Sequence, residues 1–144
     1  MAKILISPSK YVQGAEEMKN IGKYAEEAGK KALVLISQGG YKRIGRIIED
    51  SFAQTNCEVI FDYFNGECCS SEIDRLVKAV KENACDLIIG IGGGKIFDTA
   101  KAVAYYAATQ VFICPTIAST DAPCSALSVI YTEEGVFEKY LFLP

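Results

Sequence analysis

Three consecutive glycines, Gly92 to Gly94, lie between a buried strand pattern and a helix pattern and are followed by Lys95. Glycines in such a turn let backbone N–H groups approach a ligand closely, and the start of the helix adds partial positive charge. Phosphate suits both properties. The spacing matches neither the G-x-G-x-x-G fingerprint nor the P-loop, which needs Ser or Thr where this chain has Ile96. The turn predicts a phosphate site of another kind, since a turn without a ligand leaves the entropic cost of three glycines unexplained.

A second polar segment, residues 115–126, follows the next buried strand. The hydroxyls of Thr116, Ser119 and Ser125 can donate to phosphate or ribose oxygens, and Asp121 can accept from a substrate hydroxyl. The carboxyl ends of parallel strands meet at one edge of a sheet, where open α/β sheets bind ligands. We therefore expect this loop beside the glycine turn. The alternative is an ordinary solvated loop, in which the same residue types are common.

Two charged residues, Asp98 and Lys101, follow Lys95 along the predicted helix. Residues three apart lie on neighbouring positions of a helix surface. Asp98 therefore either faces the same site as Lys95 or forms an exposed pair with Lys101, and the spacing leaves both interpretations open.

Strand and helix patterns alternate along the chain, which predicts an α/β fold with a mainly parallel sheet and flanking helices. A capping box at Ser71 and Asp74 predicts the start of the third helix. The polar turn Glu133-Glu134-Gly135 predicts a C-terminal β-hairpin from residues 128–132 and 136–143. The predicted strands are 3–7, 32–36, 57–64, 86–91 and 111–114, and the predicted helices cover 15–28, the apolar face from Ile44 to Phe52, the stripe from Ile73 to Val80, and 95–107.

The composition is that of one folded domain and limits its chemistry. The 144 residues are 50% hydrophobic and 23% charged, with a formal net charge of -3. We therefore expect no nucleic-acid partner and no membrane association. The sequence has no histidine, which excludes an imidazole of this chain as base or metal ligand. No signal-peptide pattern is visible, so we expect a cytoplasmic location and six reduced cysteines.

Two long segments resemble a known family. GIGGGKIFDTAK (90–101) and PTIASTDAPCSALSVIYTEEG (115–135) resemble the signature segments of the glycerol dehydrogenases, in the metal-dependent, iron-containing alcohol dehydrogenase superfamily. SPSKYVQGA (7–15) and GEC followed by SEIDRL (66–76) are also similar. The resemblance implies NAD-dependent oxidation of glycerol to dihydroxyacetone. It also implies that residues 1–144 form a Rossmann-like N-terminal dinucleotide-binding domain, without the helical C-terminal domain of the family.

The same resemblance implies roles for individual residues. Asp121 would hydrogen-bond the polyol substrate, and the glycine turn with Lys95 would hold the pyrophosphate of NAD. The implied cofactor-binding residues are Ser37, Gly93, Gly94, Lys95, Asp98, Thr116, Ser119, Ser125, Leu127 and Tyr131.

The sequence departs from the family at two points. An acidic residue often ends the second strand against the adenosine ribose, and this chain has Ser37 there. A carboxylate grips the ribose hydroxyls and repels a 2′-phosphate, so the serine leaves the choice between NAD and NADP open. In the family, one Asp and two His of the helical domain hold zinc or another divalent ion. This chain has no histidine, so we expect no metal ligands here and no turnover by the chain alone.

Two other functions remain open from the sequence. One is a related polyol or glycerol-phosphate dehydrogenase, although segment 115–131 has no basic residue for a substrate phosphate. The other is a nucleotide-binding module without catalysis. The apolar ending, residues 140–144, is strand-like, and exposed strand edges recruit other chains, so we also expect a homo-oligomer.

Overall fold

Four apolar runs form the strands of a parallel sheet in the computed structural model, which describes residues 9–143. The sheet order is β2-β1-β3-β4, so β1 and β3 are the central strands. Every neighbouring pair is parallel. The strand predicted over residues 3–7 lies outside the described residues. The strands are β1 (Lys31–Ile36), β2 (Glu58–Tyr63), β3 (Leu87–Gly92) and β4 (Gln110–Pro115).

Helices connect the strands and cover both faces of the sheet. A separate antiparallel hairpin follows β4. This arrangement confirms the predicted α/β class, with a mainly parallel sheet and a C-terminal hairpin. The helices are α1 (Ile21–Ala28), α2 (Gln38–Phe52), α3 (Ser70–Glu82) and α4 (Gly94–Ala107), and the hairpin strands are β5 (Leu127–Tyr131) and β6 (Phe137–Phe142).

The core consists of two apolar clusters, one on each face of the sheet. Val34 and Ile36 of β1 belong to the cluster under α1 and α2. Leu33 and Leu35 of the same strand belong to the cluster under α3 and α4. Successive strand residues point to opposite faces, so a strand that is apolar on both faces must be covered on both. Burial on both faces explains the continuous apolar run in this part of the sequence.

The N-terminal helix differs from its prediction. Residues 15–28 do not form one α-helix, because a 3-10 helix at Glu17–Asn20 precedes α1. Glu16 has a left-handed backbone with φ of 62°, which is incompatible with helix continuation. The second helix also starts earlier than expected. The Ser37 side chain accepts a hydrogen bond from the Gly40 N–H (3.0 Å), so residues 38–40 form its first turn and not a break.

The capping box predicted at Ser71 and Asp74 is wrong. Helix α3 begins at Ser70, and its N-cap residue Cys69, two residues before Ser71, makes no side-chain capping bond. The carboxylate of Glu72 helps to connect the start of α3 to the sheet. It accepts from the Asn65 N–H (3.1 Å) and pairs with Arg75 (2.7 Å) while nearly fully buried. A buried carboxylate needs such partners, and here they join α3 to the end of β2.

The hairpin packs on α4. Its buried residues Ser128 and Ile130 lie on the face toward that helix. The Tyr131 N–H also donates to the Cys68 carbonyl oxygen (2.8 Å), which joins β5 to the segment before α3. The hairpin therefore contacts both α4 and the segment before α3. In residues 9–143, no helix is both long and apolar enough to cross a membrane.

Candidate functional site

The glycine turn connects the end of β3 to the start of α4. Gly92 has φ of 152°, a conformation that residues with a Cβ rarely adopt. Gly93 is the N-cap residue of α4 and has no side chain to cap the helix. The N–H groups of the first helical turn have no acceptor within the helix itself. The turn can therefore offer these donors, with the partial positive charge of a helix of 14 residues, to an anion.

The loop after β4 lies directly beside this turn, as the sequence predicts. Thr116 donates from its N–H (3.0 Å) and its hydroxyl (3.3 Å) to the Gly92 carbonyl oxygen. A Cβ built on Gly94 would meet Thr120 at 3.5 Å, and one built on Gly93 would meet only Ile117 at 3.7 Å. These are ordinary contact distances. The glycines thus leave a space about one methyl group deep between the turn and the loop.

Lys95 and Glu67 form the ion pair of the turn. Lys95 Nζ lies 2.6 Å from Glu67 Oε2 and 5.7 Å from the centre of the Tyr131 ring. The hydrogen bond that the Lys95 ammonium donates to Glu67 raises the pKa of Lys95 above its ordinary value, although burial acts in the opposite direction. The ammonium is therefore kept charged, and its side chain is 53% exposed at the mouth of the turn. Tyr131 and Lys95, which the resemblance implies as cofactor contacts, are close together.

Two of the thiols near the site are not reactive nucleophiles. Cys68 is buried next to Glu67, and burial raises the pKa of its thiol to about 12. Burial likewise raises the pKa of Cys114, on β4, to about 12. Since the thiolate is the nucleophile, both cysteines are inert at neutral pH. All six cysteines are free thiols.

The remaining loop residues lie further along the same segment. Ser119 and Asp121 are exposed, and Asp121 precedes a short 3-10 helix, Ala122–Cys124. Ser125 and Leu127 are half-buried at the start of the hairpin. The segment from Thr116 to Leu127 therefore runs from the glycine turn to the hairpin, and the exposed Asp121 carboxylate lies within it.

Comparison with known proteins identifies the family of this chain. The family described as iron-containing alcohol dehydrogenase matches residues 8–143. The chain belongs to the iron-containing alcohol dehydrogenase family. A glycerol dehydrogenase of Escherichia coli is 46% identical over 144 residues, which are all of this chain but only 39% of that enzyme.

Solved structures of the family agree with this assignment. A probable glycerol dehydrogenase from Sinorhizobium meliloti 1021 superposes with a TM-score of 0.90 at 44% identity, covering 99% of this chain and 39% of its own. The NADH-dependent butanol dehydrogenase A of Thermotoga maritima gives a TM-score of 0.82 at 25% identity, covering 96% of this chain and 42% of its own. The chain thus spans about two fifths of the length of these two proteins.

In this member of the family, Ser37 lies at the end of β1, the strand next to β3 in the sheet. It is therefore at the same sheet edge as the glycine turn. Its hydroxyl is engaged as the helix cap of α2, and it carries no charge toward that edge.

Asp98 lies on α4 and is buried, so its carboxylate is not exposed beside the glycine turn. One carboxylate oxygen is 3.0 Å from Lys101 Nζ, and the other accepts from the Val129 N–H (3.1 Å). Both residues are nearly fully buried, so they do not form the exposed helix pair that the spacing left open. Asp98 therefore has its direct contacts with the hairpin and with Lys101.

Glu67 has no role in the predictions made from the sequence, and Lys101 enters them only as the partner of Asp98 in an exposed pair. A signal for Lys101 exists in the sequence, because most residues around it from Ile96 to Ala104 are apolar, and a largely apolar helical stretch is usually buried. A buried ammonium must be paired, and Asp98 is the acid one turn away. Glu67 has no comparable local signal, since its partner Lys95 is 28 residues along the chain.

The described residues do not fit the divalent ion that the family resemblance implies. Among residues 9–143, no three or more His, Cys, Asp or Glu side chains come together as a metal site. No step of the reaction is therefore assigned here to a metal held by these residues.

Proposed function

We propose that residues 1–144 form the dinucleotide-binding domain of a polyol dehydrogenase that oxidises glycerol to dihydroxyacetone with NAD. The observation that carries the proposal is the uncapped glycine turn of α4 with a hydroxyl-rich loop packed beside it. A relative described as a glycerol dehydrogenase matches the whole chain in sequence, and a structure described as a probable glycerol dehydrogenase shares the fold. A structure described as NADH-dependent supports a nicotinamide dinucleotide as the ligand.

In this proposal the turn binds the pyrophosphate. The N–H groups of Gly94 and Lys95 donate to phosphate oxygens, and the Lys95 ammonium balances their charge. The space that the missing side chains of Gly93 and Gly94 leave lets the backbone and ligand approach closely. Ser119 adds a hydroxyl donor from the adjoining loop, and Thr116 supports the site by holding that loop against the turn through its bonds to the Gly92 carbonyl oxygen.

The other end of the loop carries the substrate. Ser125, Leu127 and Tyr131 flank the nicotinamide, and Asp121 accepts a hydrogen bond from a hydroxyl of the polyol. NAD, when bound, takes up the hydride that leaves the alcohol carbon. We also propose that the chain binds this cofactor without turnover on its own, since no three metal-ligating side chains come together among the described residues to hold an ion that would polarise the alcohol oxygen. We place the protein in the cytoplasm.

Calorimetric titration with NAD tests this function, with Gly94→Ala as the decisive variant. The added methyl group contacts Thr120 at an ordinary distance, so the fold tolerates it, and loss of backbone entropy in the unfolded chain stabilises it by about 0.4–1 kcal/mol. The same methyl group fills the space for phosphate. We expect the Kd for NAD to rise about tenfold or more, the equivalent of one charge-assisted hydrogen bond.

A thermal melt of the same variant is the control. A melting temperature at or above that of the unmodified chain shows that weaker binding does not come from unfolding. No heat of NAD binding by the unmodified chain, or equal affinity in the variant, contradicts the proposed site.

A further inference from the structure

Lys101 is the most deeply buried cation of the described chain, with 5% of its side chain exposed. It lies on α4, two turns after the glycine turn. Its ammonium is 3.0 Å from the Ala122 carbonyl oxygen, 3.3 Å from that of Ser125 and 3.2 Å from the Ser125 hydroxyl. It also donates to the Leu127 carbonyl oxygen. An ammonium has three hydrogens, so each of them has an acceptor within the protein.

Asp98 completes the arrangement from the same helix. One of its carboxylate oxygens pairs with Lys101 at 3.0 Å, and the other accepts from the Val129 N–H at 3.1 Å. The Ser128 hydroxyl donates to the Asp98 carbonyl oxygen at 2.9 Å. We call Asp98 and Lys101 the loop anchor. Together they form hydrogen bonds with several residues of the segment from residue 122 to residue 129.

We propose that the loop anchor is a positioning device, in which Asp98 and Lys101 fix the segment that carries Asp121 and Ser125 relative to the glycine turn. The inference rests on the proposed function, in which those two residues contact substrate and cofactor. Both ends of the site then belong to one rigid body, because α4 begins with the phosphate-binding turn and holds the substrate loop two turns later.

The burial of Lys101 separates this role from direct ligand binding. Lys95 is exposed and can reach an anion at the turn, whereas Lys101 would have to leave carbonyl acceptors that lie out of water. Asp98 likewise has both carboxylate oxygens occupied. The two residues act on the ligand through the loop, so Asp98 is a positioning residue and not a contact of the cofactor.

Amide hydrogen exchange tests the anchor in the chain itself. The variant is Asp98→Asn combined with Lys101→Met, which removes both charges and leaves no unpaired buried ion. We expect amides of residues 122–129 to exchange at least about tenfold faster, while those of β1 and β3 keep their protection. The matched control is Lys78→Met with Glu82→Gln, an exposed pair on α3 with side chains 73% and 63% exposed, which should change neither segment.

A milder variant is needed if the double variant loses amide protection in β1 and β3 as well as in the loop. Ser125→Ala removes one acceptor of Lys101 and no charge. It should raise exchange in residues 122–129 by a smaller factor with β1 and β3 unaffected. Unchanged loop exchange in a variant whose β1 and β3 remain protected overturns the inference.

NAD titration of the double variant separates a positioning role from a purely structural one, because a purely structural role would leave the Kd for NAD unchanged. If the loop must be in place for binding, the Kd for NAD rises by the factor by which the closed-loop population falls. An unchanged Kd with a mobile loop refutes the positioning role. Absence of NAD binding by the unmodified chain refutes the proposed function instead, and the exchange experiment then still decides whether Asp98 and Lys101 hold the loop.

Discussion

Lys95 and Lys101 both lie on α4, but the side chain of Lys95 is exposed and that of Lys101 is buried. Lys95 is exposed and pairs with Glu67, which raises the pKa of the ammonium and keeps its charge at the mouth of the turn. Lys101 is buried and donates its hydrogen bonds to the loop. Two residues of the same type thus support different tasks, because a cation can serve a diffusible anion only where water and ligand reach it.

At the residue scale, we predict that the side chain at position 37 affects the preference for NAD over NADP. Asp caps a helix as well as Ser, so Ser37→Asp keeps the bond to the Gly40 N–H. Its carboxylate adds an acceptor for ribose hydroxyls and repels a 2′-phosphate. We expect the ratio of Kd for NADP to Kd for NAD to rise about tenfold, measured by calorimetric titration with both dinucleotides.

Ser37→Asn is the matched control for this prediction. Asparagine also caps helices but carries no charge. An equal change in the ratio for the Asn and Asp variants would show that charge at this position does not govern the choice. The prediction also fails if neither variant changes the ratio.

At the scale of elements, local signals predicted much of the fold. The hairpin and α4 follow from a turn signal and from glycines that precede an apolar run, and both lie within two residues of their predicted bounds. The start of α1 was missed because it depends on the left-handed Glu16. The loop anchor was missed because the acceptors of Lys101 are 21 to 26 residues away along the chain. Non-local contacts leave no periodic trace in the sequence.

The anchor also predicts a stability pattern between α4 and the hairpin. Lys101→Met alone leaves the buried Asp98 carboxylate unpaired and should cost about 3–5 kcal/mol of unfolding free energy. Adding Asp98→Asn removes that unpaired charge. We therefore expect the double variant to be more stable than Lys101→Met alone, with a coupling energy of at least about 1 kcal/mol. Urea denaturation of the four proteins in the cycle measures it.

Equal slopes of the four denaturation curves are needed for that comparison, because the slope reports the surface exposed on unfolding. Additivity of the two single changes within about 0.5 kcal/mol would mean that Asp98 and Lys101 act independently. The pair would then not be a single device.

At the scale of the whole molecule, the sheet order brings the candidate residues together. β1 and β4 both pair with β3, so Ser37, the glycine turn and Thr116 gather at the carboxyl edge of one sheet. Parallel pairing thus converts three distant sequence segments into one surface. The hairpin adds a second surface, because β5 packs on α4 whereas β6, apart from the half-buried Leu141, is exposed.

The outer face of the hairpin is apolar and aromatic. Tyr140 and Phe142 are 55% and 75% exposed, and their rings lie 6.2 Å apart. Tyr140 lies opposite Val129 and Phe142 opposite Leu127 in the antiparallel register, so the four side chains share this face. Contiguous apolar surface of this kind favours association with another molecule.

We propose that this face drives self-association of the chain, and Phe142→Lys tests it. Covering one large aromatic side chain contributes about 1.5–3 kcal/mol, so the lysine should weaken association by about tenfold or more. Tyr106→Lys is the matched control, since Tyr106 is 47% exposed but lies near the end of α4 and not on the hairpin. Sedimentation velocity over a range of concentrations should show association for the control and a monomer for Phe142→Lys. An unmodified chain that stays monomeric throughout would contradict a role for this face, and equal weakening by both variants would place the contact elsewhere.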